Sequence, residues 1–271
     1  MTSQLSELLT KPTLERTPED YEDVFDDFVQ RSGGHRIGDR FAVPPATLNA
    51  DYWWDLDAFE LVLELKQLSV YDKLKSVNQY WQDRFAEGKI TRYQPIAADT
   101  IRIGPESVSK RDWIAFYKRF RPAVSTDLKK AARQLKETDR FLPSSPKRRV
   151  KGIMLLNTGD YNLPTDLLAR LIEWKMKREW HDGHFRSLDF VSCATVDLVR
   201  RGQNPFHSRH IVRSLADELA VEATRFLLAK WVQYHAAALG VTLSMEVELT
   251  TTVDAADLSS PFEGKIQRKA G

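Results

Sequence analysis

An acid and a lysine stand two residues apart inside an otherwise apolar run, Leu61-Val62-Leu63-Glu64-Leu65-Lys66. The run reads as a strand, and residues i and i+2 of a strand share a face. Leu61, Leu63 and Leu65 then take the core face, while Val62, Glu64 and Lys66 take the other. A buried strand rarely carries charge without a reason. Just upstream, Asn49-Ala50-Asp51-Tyr52-Trp53-Trp54 is a second strand-like segment, close enough to pair with the first as a hairpin with its apex at Asp55–Ala58. Asp51, Glu64 and Lys66 would then supply two oxygen ligands for a hard cation, with an amine poised beside them. The plain alternative is a solvent-facing strand carrying an ordinary Glu–Lys pair.

Around this hairpin, helical and strand-like patterns alternate. Thr17-Pro18-Glu19-Asp20 is a helix start, with an N-cap, a proline at the first position and acids in the first turn. Tyr21, Val24, Phe25 and Phe28 make its apolar stripe, and Gly33-Gly34 ends it. After the hairpin, Val70–Glu87 has a helical period, residues 88–108 read as loop with short strands, and a helix begins at Ser109. Pro122 is expected to break or bend that helix, leaving a Lys- and Arg-dense part at Ser125–Thr138. Val150–Asn157 and Leu188–Val196 read as buried strands flanking a helix from Thr165 to Trp180. Arg209–Arg213 reads as a short strand, Leu215–Leu239 as a long helix closed by Gly240, and Val241–Thr252 as a last strand. The expected class is α/β, a mixed central sheet flanked by helices. The expected organisation is a flexible arm at 1–16, a single domain at 17–253 and a loose tail at 254–271.

Composition narrows the function. The chain has 271 residues, 42% of them hydrophobic, enough for a sizeable core. A single cysteine, Cys193, excludes an internal disulfide framework and fits the reducing cytoplasm; its apolar setting suits an inert buried thiol. No long apolar run is present to span a membrane, and the first ten residues lack the pattern of a secretory signal. Net charge is +2 but unevenly spread: residues 1–65 hold 5 basic and 14 acidic side chains, and residues 66–213 hold 30 and 16. An acidic cluster beside a basic middle suits a site that takes metal and phosphate. His181-x-x-His184 and His207-x-x-His210 have spacings that would allow zinc, but no cysteine stands near either pair. The chain lacks a Walker A loop, a dinucleotide-binding glycine fingerprint and a Gly-x-Ser-x-Gly elbow, leaving nucleotide hydrolysis, hydride transfer and serine hydrolysis without support. Lys129, Lys130, Arg133 and Lys136 sit on one helix, as a grip for backbone phosphates or as a solvated face.

The order Asn-Ala-Asp, a gap, then apolar-Glu-Leu-Lys resembles the PD-(D/E)xK nuclease superfamily. The resemblance extends to a bacterial branch in which the lysine strand is followed by a basic Arg-Gln-x-x-x-Thr helix and a Gly-led apolar strand ending near Asn. Here these are Arg133-Gln134-Leu135-Lys136-Glu137-Thr138 and Gly152–Asn157. It implies a restriction-endonuclease-like fold and a Mg²⁺- or Mn²⁺-dependent nuclease, DNA being the favoured substrate. Asp51, Glu64 and the Leu65 carbonyl would hold the metal, Lys66 would orient water or stabilise charge, and Gln134 would reach toward the site. The family often adds an acid from the first helix, for which Glu22, Asp23, Asp26 and Asp27 all qualify. Ala50 stands where the family's pattern has proline. Such domains often serve bacterial defence or DNA processing, alone, as homodimers or under an activating sensor subunit. The competing class is a catalytically silent nucleic-acid-binding or assembly module of the same fold.

Overall fold

The computed structural model describes residues 3–11, 15–44, 47–68, 79–80, 82–88, 94–97, 100–102, 110–157, 165–179, 183–195, 208–214 and 216–240. In chain order the elements are helices α1 (Gln4–Thr10) and α2 (Pro18–Arg31), strand β1 (His35–Arg36), helix α3 (Ile37–Arg40), and strands β2 (Tyr52–Asp55), β3 (Phe59–Leu68), β4 (Gln94–Ala97) and β5 (Thr100–Arg102). Then come helix α4 (Lys110–Thr138), strand β6 (Arg148–Asn157), helix α5 (Thr165–Glu179), strands β7 (Phe190–Thr195) and β8 (Ser208–Val212), and helix α6 (Glu218–Leu239).

Six strands form one mixed sheet in the order β1-β2-β3-β6-β7-β8, while β4 and β5 pair separately. The expected hairpin is present: β2 and β3 are antiparallel, with Tyr52 opposite Leu63 and Trp54 opposite Leu61. Strands β3, β6 and β7 run parallel through the centre, and β1 and β8 add antiparallel edges. Parallel strands need long crossovers, and α4 and α5 lie within the two here.

Both faces of the sheet are covered, and that corrects the expected one-sided β3. Leu61, Leu63 and Leu65 pack with α1, α2 and α6 through Leu5, Phe25, Phe28, Leu227 and Trp231. Val62, on the other face, packs with α4 and α5 through Leu128, Ala131, Leu135, Leu168 and Ile172. A strand buried on both faces reads as a nearly continuous apolar run, and β3 is one. A charge on either face of it is therefore a charge in a core.

Local chemistry explains the ends of the elements. Thr17 and Asp20 form a reciprocal capping box at the start of α2, with Pro18 in the first turn. Asp217 caps α6 by accepting from the Ala220 N–H, and Gly240 closes it at φ 65°. Gly152 is required by packing: a Cβ there would lie 2.0 Å from Cζ of Phe190, whose ring occupies that space.

Several expectations change. The arm at 1–16 contains α1, whose buried Leu5 and Leu8 dock on the sheet's α2–α6 side. Of the break or bend expected at Pro122, the break does not occur: α4 continues through it as one helix. Val124, Leu128, Ala131 and Leu135 anchor the following turns in the core, and packing of that kind offsets the lost backbone bond. In line with its apolar pattern, α6 is buried in the chain's own core through Ala220, Ala223, Leu227 and Trp231. Of Val70–Glu87, only residues 79–80 and 82–87 are described, and 79–80 and 82–86 are helical. Val241–Thr252, the tail from 254, His181 and His207 lie outside the described residues.

Candidate active site

Extending the β2–β3 register by one residue puts Asp51 opposite Glu64. Side chains so placed on an antiparallel pair stand about 4.5–5.5 Å apart at Cβ. The two acids are close enough to bear on each other's charge, and the Asp51 Oδ2 accepts from the Leu65 N–H at 2.8 Å. The Lys66 ammonium donates to Glu64 Oε1. Glu64 is wholly buried, and its Oε2 has no hydrogen-bond partner among the described residues. Lys66 keeps 17% of its side chain exposed, whereas the acid it holds has none. A solvent-facing Glu–Lys pair is thereby excluded.

Burial dominates the electrostatics here. It pushes the Glu64 carboxyl up to about 8, assisted by the nearby Asp51 charge and opposed by Lys66. Burial also raises Asp51, opposed by the Leu65 N–H bond and by Lys66, with Glu22 adding a smaller upward push. Two carboxyls that cannot both ionise cheaply in a shared site are the expected outcome of one cation serving two acids. The strand neighbour of Glu64 on β6 is Ile153, which offers no second cation.

The Leu65 backbone belongs to the same corner. Its N–H points to the β2 edge, and a strand residue directs its N–H and C=O to the same edge. The Leu65 carbonyl thus lies on Asp51's side, beyond the first residue of β2. Two carboxylates and this carbonyl are hard oxygen donors of the kind Mg²⁺ and Mn²⁺ take. The buried, partnerless Glu64 oxygen fits such an ion. Among the described residues, no group of three or more His, Cys, Asp and Glu side chains gathers for a metal.

Helix α4 separates its polar residues by face. Lys129, Lys130, Arg133 and Lys136 are exposed, whereas Gln134 and Thr138 are buried. Gln134 does not reach the acids through its amide nitrogen; Nε2 donates to the Asn49 carbonyl at 3.0 Å, and Oε1 is buried without a partner. Thr138 accepts from the Ala50 N–H at 2.6 Å. Thr138 closes the Arg-Gln-x-x-x-Thr motif, in which the sequence alone gives it no role. The available signal was two polar residues at i and i+4 on the helix face that otherwise carries Ala131 and Leu135.

The acids of α2 sort themselves by partner. Asp27 accepts from Arg31, Tyr234 and the Gln4 N–H. Asp26 accepts from Arg36 and from the Tyr52 hydroxyl. Glu22 pairs with Arg36 at 3.0 Å, and its charge bears on Asp51. Arg36 had no sequence signal, because the two-residue strand that presents it is too short to show a period.

Tyr52 and Trp54 are core residues. Cys193 is fully buried, which raises its thiol well above the usual range. His184 is exposed, and His210 is buried with its Nδ1 2.7 Å from Ser192 Oγ. No helix among the described residues is long and apolar enough to cross a membrane. No family model matches this chain, and no curated protein or solved structure matches it either.

Proposed function

We propose that this chain is a metal-dependent nuclease with a restriction-endonuclease-like fold, acting on DNA in the cytoplasm. The observation that carries the reading is the meeting of Asp51 and Glu64 at the buried end of the hairpin, with Lys66 on one acid and a buried oxygen left without a partner. Asp51, Glu64 and the Leu65 carbonyl would hold Mg²⁺ or Mn²⁺. A divalent cation there supplies charge neutralisation at a phosphodiester and a water of lowered pKa. The chain's own residues do the rest. The Leu65 N–H fixes the Asp51 carboxylate, and Glu64 fixes the Lys66 ammonium beside it. There the amine holds a water or offsets charge developing on the phosphate. Exposed Lys129, Lys130, Arg133 and Lys136 supply a surface for backbone phosphates.

The test is cleavage of supercoiled plasmid, linear duplex and RNA in Mg²⁺ or Mn²⁺. Wild type is expected to cut, and Glu64→Ala and Lys66→Ala to be inactive. Equal cleavage by all three proteins removes the assignment. Salt-sensitive binding without turnover would instead favour a silent binding subunit, and cleavage appearing only with a co-purified protein would favour an activated effector.

A further inference from the structure

We infer that Gln134 and Thr138 are positioning residues that orient Asp51 by gripping both poles of a single peptide group. The Asn49 carbonyl and the Ala50 N–H belong to one planar unit. Gln134 Nε2 donates to that carbonyl at 3.0 Å, and that N–H donates to Thr138 Oγ1 at 2.6 Å. The two side chains are i and i+4 on α4, one turn apart on one face. Thr138 gives its own proton to the Gln134 backbone carbonyl at 2.8 Å, so its lone pairs are left for Ala50. Asn49 adds a restraint on the next peptide, its Nδ2 donating to the Ala50 carbonyl at 2.8 Å. Ala50 and Thr138 are fully buried, so water does not compete for these bonds.

The grip matters because Asp51 precedes the first residue of β2 and lacks the strand's ladder. Its backbone carbonyl accepts from the Ile37 N–H at 2.9 Å, and its carboxylate from the Leu65 N–H at 2.8 Å. A peptide held at both poles cannot rotate, so the direction in which the chain enters Asp51 is set by α4. Proline at position 50 would have no N–H to give Thr138. The alanine there is what allows the grip.

The inference rests on Asp51 being a site carboxylate, as proposed above. The experiment compares wild type with Thr138→Val, Thr138→Ser and Gln134→Glu. The readouts are Leu65 amide exchange by NMR, global stability in urea, and Mn²⁺ affinity by calorimetry. Thr138→Val is expected to speed Leu65 exchange about tenfold beyond what its stability loss explains, and to weaken Mn²⁺ binding about tenfold. Thr138→Ser, which keeps the hydroxyl, restores both. Gln134→Glu removes the donor at the other pole and is expected to act in the same direction, which covers a valine variant that does not fold. Unchanged Leu65 exchange in Thr138→Val and Gln134→Glu overturns the grip even if wild type binds Mn²⁺. Faster Leu65 exchange in a protein that binds no Mn²⁺ supports the grip and removes the metal reading instead.

Discussion

Strand β3 carries two buried glutamates four residues apart on one face, and their surroundings differ. Glu60 lies opposite Arg149 and bonds its Nε at 2.7 Å; Asp139 joins them, bonded by Lys151 and 3.8 Å from Arg149. Two acids there meet two bases. Glu64 lies opposite Ile153 and meets a second acid, Asp51, and among the described residues Lys66 is the cation bonded to the pair. Buried charge is tolerated where partners satisfy it and costly where they do not. The first cluster is explained as part of the fold. The second holds excess acid and a buried oxygen without a partner, an arrangement that a bound cation would complete.

The largest expected difference between the two clusters is in activity. Asp51→Asn or Glu64→Gln should lower Mn²⁺-dependent cleavage about a thousandfold or more, given several kcal/mol of lost charge stabilisation. Glu60→Gln should leave the rate per folded molecule near wild type. Comparable losses from Glu60→Gln and Glu64→Gln would erase the distinction.

Stability should run the other way. Arg149→Met strands Glu60 as an uncompensated buried carboxylate, at about 3 kcal/mol. Glu64→Gln replaces a carboxyl whose ionisation the fold opposes, and should cost less than about 1 kcal/mol or stabilise. Urea denaturation with metal chelated decides this. A Glu64→Gln loss as large as that of Arg149→Met would place Glu64 among the structural ion pairs.

Between these clusters, Gly152→Ala drives a methyl into the Phe190 ring and should cost about 1–3 kcal/mol without touching either set of charges. Calorimetric melting checks it, and a variant as stable as wild type would mean the ring moves freely.

A pH trend tests the same acid without a metal. Glu64 is held at about 8 in the fold against an ordinary value of 4.5. The folded state therefore binds more protons than the unfolded state across that interval, and the stability contributed by protonated Glu64 is lost as pH rises through it. In metal-free buffer, wild type should lose stability relative to Glu64→Gln between about pH 5 and about pH 8. A flat difference across that range would mean that Glu64 ionises freely.

How much was legible beforehand depended on the range of the forces involved. The hairpin, the capped start of α2, β6 and the glycine-closed α6 were readable, because caps, turns and periodicity act over a few residues. The pairing of Asp51 with Glu64 and Lys66 was readable for the same reason: a short hairpin sets its own register. That α4 continues through Pro122 was not legible, because packing on either side outweighs a local penalty. Thr138 stayed unassigned because its partner, Ala50, is 88 residues away.

By itself, then, the sequence determined which residues are strand and which helix around the site, and that two acids and an amine share a strand face. Only the tertiary structure decided that this face is a second core rather than a wetted surface, since α4 and α5 close over it from distant parts of the chain. That closure turns an ordinary Glu–Lys spacing into a buried, cation-poor pair of carboxyls. Desolvation depends on what covers a group, and nothing within a few residues of Glu64 could say what would.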